Sequence, residues 1–296
     1  MERNKQTDSI GKKEKRYRIA ADCALFLVAI IWGGGFIAAK AALAERSAVY
    51  ILAFRFLGAA LLMGILFFKK IKSAGPATVI CGCLVGTMHF VGQSVQLLGL
   101  DRTTAGKQAF IIASYVVFVP FLSWLLFHNK PTKSVIFAGV IVLMGISLIS
   151  LNGYLHVQSG DVLSLLFACI FALQIVLTGK FVKNVKVLPM TFYQFLTAGF
   201  LAFMVTLLTG AEKEPMSLGA VGGILYLIVF NTVVAFTIQN IAQKYTSDSH
   251  AAILISLESV FGLLLSVWIY REPVSFKMLA GCILVFCAVI LCVKKE

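Results

Sequence analysis

The sequence predicts an all-α membrane protein with ten transmembrane helices, arranged as a five-plus-five inverted repeat. Three observations carry that prediction: a composition too apolar for water, ten apolar runs of spanning length, and a register of matches between the two halves. Only 13% of the 296 residues are charged and 59% are hydrophobic, with a mean hydropathy of +0.92. Roughly a quarter of an ordinary soluble domain is charged. A water-soluble chain of this size cannot hide so much apolar surface, because much of its outside must be polar. The solvent is lipid.

A spanning helix takes ~20 largely apolar residues. Such segments fall at 21–40, 48–68, 77–99, 104–127, 133–151, 160–179, 189–209, 217–242, 250–270 and 274–293. The runs are unbroken, which excludes a β-barrel, whose strands alternate over ~10 residues. Pro76, Pro131, Pro189, Pro215 and Pro273 stand at the breaks, where a missing N–H costs little. Pro120 lies inside the fourth segment, and a kink is expected there. The first run passes directly into Gly33-Gly34-Gly35 with no small-x-small cleavage site, so it reads as a retained helix. All seven cysteines fall in apolar runs, which implies neither a disulfide framework nor a metal site.

Lys and Arg set the orientation. With the N-terminus inside and ten crossings, 18 of the 26 basic residues fall on the inner side and seven on the outer, with Arg55 within a span. Both termini are therefore expected in the cytoplasm of a plasma-membrane protein. The net charge of +13 follows from this bias and needs no nucleic-acid partner.

The halves match in register. Asp22 and Asp161 are 139 apart, Lys40 and Lys180 are 140 apart, and Arg55-Phe56-Leu57 matches Gln194-Phe195-Leu196 at 139. Gln96 matches Gln239, and Thr103-Thr104 matches Thr246-Ser247, both at 143, while Ala138-Gly139 matches Ala280-Gly281 at 142. An odd number of helices per half sends the second half through the membrane from the opposite face, as in many secondary transporters. The expected organisation is a basic tail over 1–19, one five-helix repeat over 20–152 and a second over 153–296.

These residues also resemble a known family. Trp32-Gly33, Phe36 and Lys40, Arg55-Phe56, and Gly99-Leu100 with Thr103-Thr104-Ala105 carry the likeness in the first half. Gly160-Asp161, Leu257-Glu258-Ser259-Val260-Phe261, Arg271-Glu272 and Ala280-Gly281 carry it in the second. The chain resembles an EamA-type member of the drug/metabolite transporter superfamily from Asp22 to Val293. It departs at Ser259, where the family's Glu-Pro has its proline, and at Asn129, where an acid equivalent to Glu272 would stand. The resemblance implies a ten-helix exporter or permease of small metabolites, such as amino acids or drug-like compounds. It also implies a central cavity between spans one, three, four, six, eight and nine.

Ionisable groups in a membrane are expensive and therefore informative. Glu258 lies ~12 Å into the ninth span at ~1.5 Å per residue, close to the midplane. A carboxylate there must be protonated, paired or hydrated; it reads as a proton-coupling group or as a structural carboxyl. Arg55, seven residues into span two, keeps its proton and needs acceptors. It reads as an interhelical anchor lying away from the cavity lining, or as a site for an anion. His89, Gln93 and Gln96 share one face of span three, as Asn231 and Gln239 share one of span eight. These faces line a pathway or bond neighbouring helices. Trp32 and the glycines after it let another helix or a ligand approach closely. Gly82-x-x-x-Gly86 is a packing motif.

Gly106-Lys107 is no phosphate loop, since Asp101 and Gln108 stand where Gly and Ser/Thr are required. No hydrolase or nucleotide-binding motif is present. The expected partners are a small-molecule substrate, the bilayer and protons as coupling ion; a homodimer is left open, and no cofactor is expected. The competing readings are a membrane-embedded enzyme and a non-transporting scaffold.

Overall fold

A computed structural model of the chain describes residues 2–150, 158–210, 215–271 and 275–295. Among the described residues there are helices and connecting turns and no strands. Eight helical stretches are long and apolar enough to cross a membrane, and two shorter apolar helices cover 133–145 and 279–291. This is a multi-pass membrane protein.

The helices are α1 (Glu2–Leu43), α2 (Ala48–Ile71), α3 (Pro76–Asp101), α4 (Ala105–Ile112), α5 (Tyr115–Phe127), α6 (Lys133–Ser150) and α7 (Ser159–Phe181). They continue as α8 (Val187–Thr209), α9 (Leu218–Tyr226), α10 (Ala235–Ala242), α11 (Asp248–Ile255), α12 (Glu258–Tyr270) and α13 (Phe276–Lys295), with a π-helical segment, Leu227–Val234, joining α9 to α10. Hydroxyl residues start several of them by capping a free N–H. Thr104 accepts from Lys107 N at 3.2 Å, Ser217 from Ala220 N at 3.2 Å, and Ser247 from His250 N at 3.3 Å. Asp161 and Gln158 form a reciprocal capping box at the start of α7.

α4 with α5 and α11 with α12 are each one broken span. The kink expected at Pro120 is not where the fourth span breaks; Pro120 lies inside α5, and the interruption is at Ala113–Ser114. The broken span made of α11 and α12 is interrupted at Ser256–Leu257 with no proline nearby. Serine hydroxyls hold the carbonyls freed there: Ser256 Oγ donates to Ile253 O at 2.6 Å, and Ser259 Oγ to Ser256 O at 2.7 Å. The two broken spans match to the residue. α4 and α11 have eight residues each, α5 and α12 have 13 each, and every boundary is offset by 143. Each ends on a non-glycine residue in the left-handed region, His128 at φ 58° and Arg271 at φ 51°.

Packing follows the small residues, because helices in lipid associate where backbones can approach. α3 lies on α8 through the Gly82-x-x-x-Gly86 face: a Cβ on Gly82 would meet Met190 O at 2.7 Å, and one on Gly86 would meet Gln194 O at 2.5 Å. α2 meets α8 at Gly199, α3 meets α7 at Gly160, and α6 meets α13 at Gly145. α1 packs along α12 through Gly33, whose Cβ would stand 2.6 Å from Phe261 Cβ. Exposed Leu61, Ile65, Phe137 and Trp268 mark the lipid-facing surface. The aromatic and aliphatic core lies between the two groups of helices, around Phe56, Phe110, Tyr115, Phe171 and Phe195.

Candidate functional site

A cavity opens inside that core. Its wall takes Trp32, Gly35 and Phe36 from α1, Arg55 from α2, Gln93 and Gln96 from α3, and Ile112 from α4. Phe167 and Phe171 of α7, Asn231 of the π-helical segment, Phe236 of α10 and Glu258 at the start of α12 complete it. The space open to the centre of a water molecule is about 40 Å³. At ~10–15 Å³ per water, this admits only a few molecules.

Arg55 is 3% exposed and is held by neutral acceptors from two other elements. Its Nε donates to Thr232 Oγ1 at 2.7 Å, its Nη1 to Gln93 Oε1 at 2.8 Å and its Nη2 to Asn231 Oδ1 at 2.6 Å. Three of its five N–H groups are thereby used, and none goes to a carboxylate. The expectation that Arg55 lies away from the cavity lining is corrected: the guanidinium is part of the wall. The periodicity of α2 indicates which side of the helix Arg55 occupies, but not that α3 and the π-helical segment converge there.

Glu258 is 4% exposed and stands at the break between α11 and α12. The Tyr115 hydroxyl is in contact with its carboxyl, outside good hydrogen-bonding geometry. Among the described residues, neither Arg55 nor Glu258 forms an ion pair. One cavity thus holds a fixed cation and a carboxyl group, each without a countercharge of its own.

Trp32 closes one side. Its Nε1 donates to Asn231 O at 3.0 Å, and its ring lies 4.7 Å from Phe236 and 5.6 Å from Phe171. That carbonyl sits in a π-helical segment, where the widened turn frees backbone groups for outside partners. Gly35 makes room for the Asn231 side chain, since a Cβ there would overlap its Nδ2. Gly34 does the same for Tyr226, whose hydroxyl donates to Ile31 O at 2.8 Å.

Of the residues singled out in the sequence, Trp32, Gln93, Gln96, Asn231 and Glu258 come together in this wall. His89 and Gln239 do not. His89 is fully buried one layer back, behind Phe236, with ring centroids 4.4 Å apart. Its Nδ1 accepts from Gln174 Nε2 at 2.8 Å and from Gln194 Nε2 at 3.1 Å. Asn240 Nδ2 extends the network to Gln194 Oε1 at 3.0 Å and to Thr191 Oγ1 at 2.9 Å. Gln174, Asn240 and Tyr115 were missed by sequence reasoning; the signal for the first two was a polar side chain in the middle of an apolar run. Among the described residues, no group of three or more His, Cys, Asp or Glu side chains is placed to hold a metal ion.

A model of the EamA-like transporter family matches residues 19–151 and again residues 158–294. The chain belongs to the EamA-like transporter family. A relative from Archaeoglobus fulgidus, named only as an uncharacterized transporter, is 32% identical over 286 residues, covering 95% of this chain and 88% of its own length. A second from the same organism is 26% identical, covering 92% and 96%. The uncharacterized transporter YdfC of Bacillus subtilis is 24% identical, covering 68% and 67%. A solved crystal structure shares the fold, with a TM-score of 0.76 at 13% identity over 92% of this chain and 96% of its own. This EamA-family protein is therefore a membrane transporter by family, and its double match pairs the two sets of helices that wall the cavity.

Proposed function

We propose that this EamA-family protein is a secondary transporter that exports or exchanges a small metabolite by alternating access, with its halves arranged as a five-plus-five inverted repeat. The observation that carries this reading is an unpaired guanidinium and an unpaired carboxyl in one buried, aromatic-lined cavity. Such a pair costs free energy unless something completes it. A small amphoteric solute does so: its anionic group meets the remaining N–H groups of Arg55, its cationic group meets Glu258, and its apolar part packs on Trp32, Phe171 and Phe236. Amino acids have this chemistry. Gln93, Gln96 and Asn231 give the orienting hydrogen bonds expected of a ligand pocket.

Glu258 is also the coupling candidate. A carboxyl that takes a proton when it faces one side and releases it at the other ties proton movement to the conformational change. The helix break beside it gives that residue a hinge.

The inverted-repeat reading is supported by the matched lengths of the broken spans and by two contacts. Lys107 at the start of α4 meets Asp161 at the start of α7, and Asp22 near the membrane entry of α1 meets His250 at the start of α11. Two crossings separate Lys107 from Asp161 if α6 spans the bilayer, and three separate Lys107 from the entry of α1. In a plasma-membrane protein, the bias of Lys and Arg supports both termini on the cytoplasmic side.

The test is uptake and efflux of an amino-acid and amine panel in proteoliposomes, with and without a pH gradient. Saturable movement of at least one amphoteric solute, competed by others, is the expected result. No movement of any member under either gradient would defeat the reading.

A further inference from the structure

Two side-chain contacts tie the halves of the molecule together, an ion pair and a histidine–carboxylate hydrogen bond, and they occupy matching positions. Lys107 Nζ and Asp161 Oδ2 are 2.6 Å apart. His250 Nε2 and Asp22 Oδ1 are 2.9 Å apart, the ring nitrogen donating because a carboxylate only accepts. Asp161 follows Asp22 by 139 residues, and His250 follows Lys107 by 143, the same offsets that relate the flanking helices. In each pair the donor, Lys107 or His250, is the third residue of the first half of a broken span, just after a hydroxyl N-cap, Thr104 or Ser247. In each, the acid stands near the membrane entry of the first helix of the opposite repeat. The Lys107–Asp161 pair is reinforced by Thr103 Oγ1, which donates to Asp161 Oδ1 at 3.4 Å, and by Lys40, whose Nζ donates to Leu100 O at 2.8 Å and Thr103 O at 3.1 Å.

We infer that Lys107–Asp161 and Asp22–His250 are a matched pair of gate latches, one at each membrane face, that must release in turn for the cavity to open. This rests on the alternating-access reading above. Each latch joins the first helix of one repeat to the broken span of the other; α1, α4 and α7 supply cavity wall, and α11, which carries His250, leads into α12, whose first residue Glu258 lies in that wall. Parting either pair therefore moves wall helices against each other at one face only. Both latches are formed in this structure, and the cavity between them is narrow. A transporter must never open at both faces at once, and one closure at each face meets that requirement. Neither pair touches the Arg55 or Glu258 side chains, so the latches set access without forming part of the binding chemistry.

The test reads accessibility and needs no substrate, so a failed latch and a failed transport assay are distinguishable. The seven native cysteines are replaced, Gln96→Cys is introduced as the cavity reporter, and an impermeant charged maleimide is added from one face of oriented vesicles. Lys107→Gln and Asp161→Asn should raise labelling from the face that carries Lys107 by about two- to fivefold, the range for a partly exposed ion pair. Asp22→Asn and His250→Gln should do so from the opposite face only. The exchanges Lys107→Asp with Asp161→Lys and Asp22→His with His250→Asp should return labelling to the starting rate. If a single variant does not fold, cysteine pairs at 107/161 and at 22/250 replace it. Cross-linking either pair should then block labelling from its own face alone. Increased labelling from the same face for both latches, or no change for either, overturns the inference.

Discussion

The pairs Arg55–Thr232 and His89–Gln194 stand at matching positions of the two halves, yet only one of them faces the cavity. Gln194 follows Arg55 by 139 residues and Thr232 follows His89 by 143. Each pair bonds the second span of one half to the third span of the other, at 2.7 Å and 3.1 Å. The register is shared and the chemistry is not. At the Arg55 pair, the next polar residue is Gln93, which reaches the guanidinium; at the His89 pair, the residue equivalent to Gln93 is Phe236, which seals the layer. Phe56 and Phe195 close the other sides, with centroids 4.8 Å and 6.3 Å from the imidazole. The difference teaches that two polar layers in equivalent register part company through what covers them: rings make one structural, and an open face leaves the other available.

A similar divergence sets Glu258 against Tyr115, its counterpart at an offset of 143. Each begins the second half of a broken span, and the two side chains meet. The largest effect is expected here. Glu258→Gln keeps size and most hydrogen bonding but cannot exchange a proton, so uptake driven by a pH gradient should be abolished in proteoliposomes while the protein stays folded. Wild-type pH-driven uptake in that variant would reduce Glu258 to a packing carboxyl and make the two positions equivalent after all.

The Arg55 layer and the His89 layer are separated next. Arg55→Ala removes three interhelical hydrogen bonds, which at ~0.6 kcal/mol each in a membrane protein amounts to about 2 kcal/mol. Thermal unfolding in detergent should show that loss, together with weaker binding of any anionic or amphoteric ligand. Gln194→Ala removes the bonds to His89 and Asn240 and should lower stability by about 1 kcal/mol with ligand affinity unchanged. An affinity loss confined to Gln194→Ala would reverse the assignment of the two layers.

Removing the cover leaves the polar groups of both layers in place. Phe236→Ala should open His89 to the cavity, so that diethyl pyrocarbonate, expected to spare the buried imidazole of the parent protein, modifies it. Continued protection would mean that packing by Phe56 and Phe195 suffices.

The smallest effect belongs to the loops. Glu45 accepts from the backbone N–H and the hydroxyl of Ser217, joining the turn after α1 to the start of α9. The Ser217 hydroxyl and then its amide hold the Glu45 carboxyl below its usual 4.5. A depressed carboxyl contributes its stability above the ordinary value and loses it as the pH falls through the lowered one. The contact should therefore persist near neutrality and weaken only below pH 4.5. In the turn before α8, Lys186 Nζ donates to Ser73 O and Oγ at 3.0 Å each, with no carboxylate in those bonds. Hydrogen exchange at acid pH should loosen the Glu45 loop before the Lys186 loop; equal loosening would break that contrast.

Much of this molecule was legible in its amino acids. Hydropathy is a local sum, so the apolar runs located the helices. Offsets of 139 to 143 gave the register that the matched broken spans share. The rarity of charge in lipid singled out Glu258 and Arg55 before any contact was visible. Partner choice was not legible. Periodicity puts His89, Gln93 and Gln96 on one face of α3, yet Gln93 and Gln96 reach the cavity while His89 meets α7 and α8. Arg55 was expected away from the cavity and lies in its wall. Pro120 was expected to mark a kink, and the break instead falls where Ala113 and Ser114 leave the helix. The physical reason is common to all three. Which neighbour a helical face meets at a given depth depends on how helices distant in sequence cross, and those crossings are set where glycines such as Gly82, Gly86 and Gly33 admit another backbone. The sequence by itself determined the lipid solvent, the helices and the buried charges; the tertiary structure decided which of those charges share a cavity, because that is a property of close approach between helices and not of any one of them.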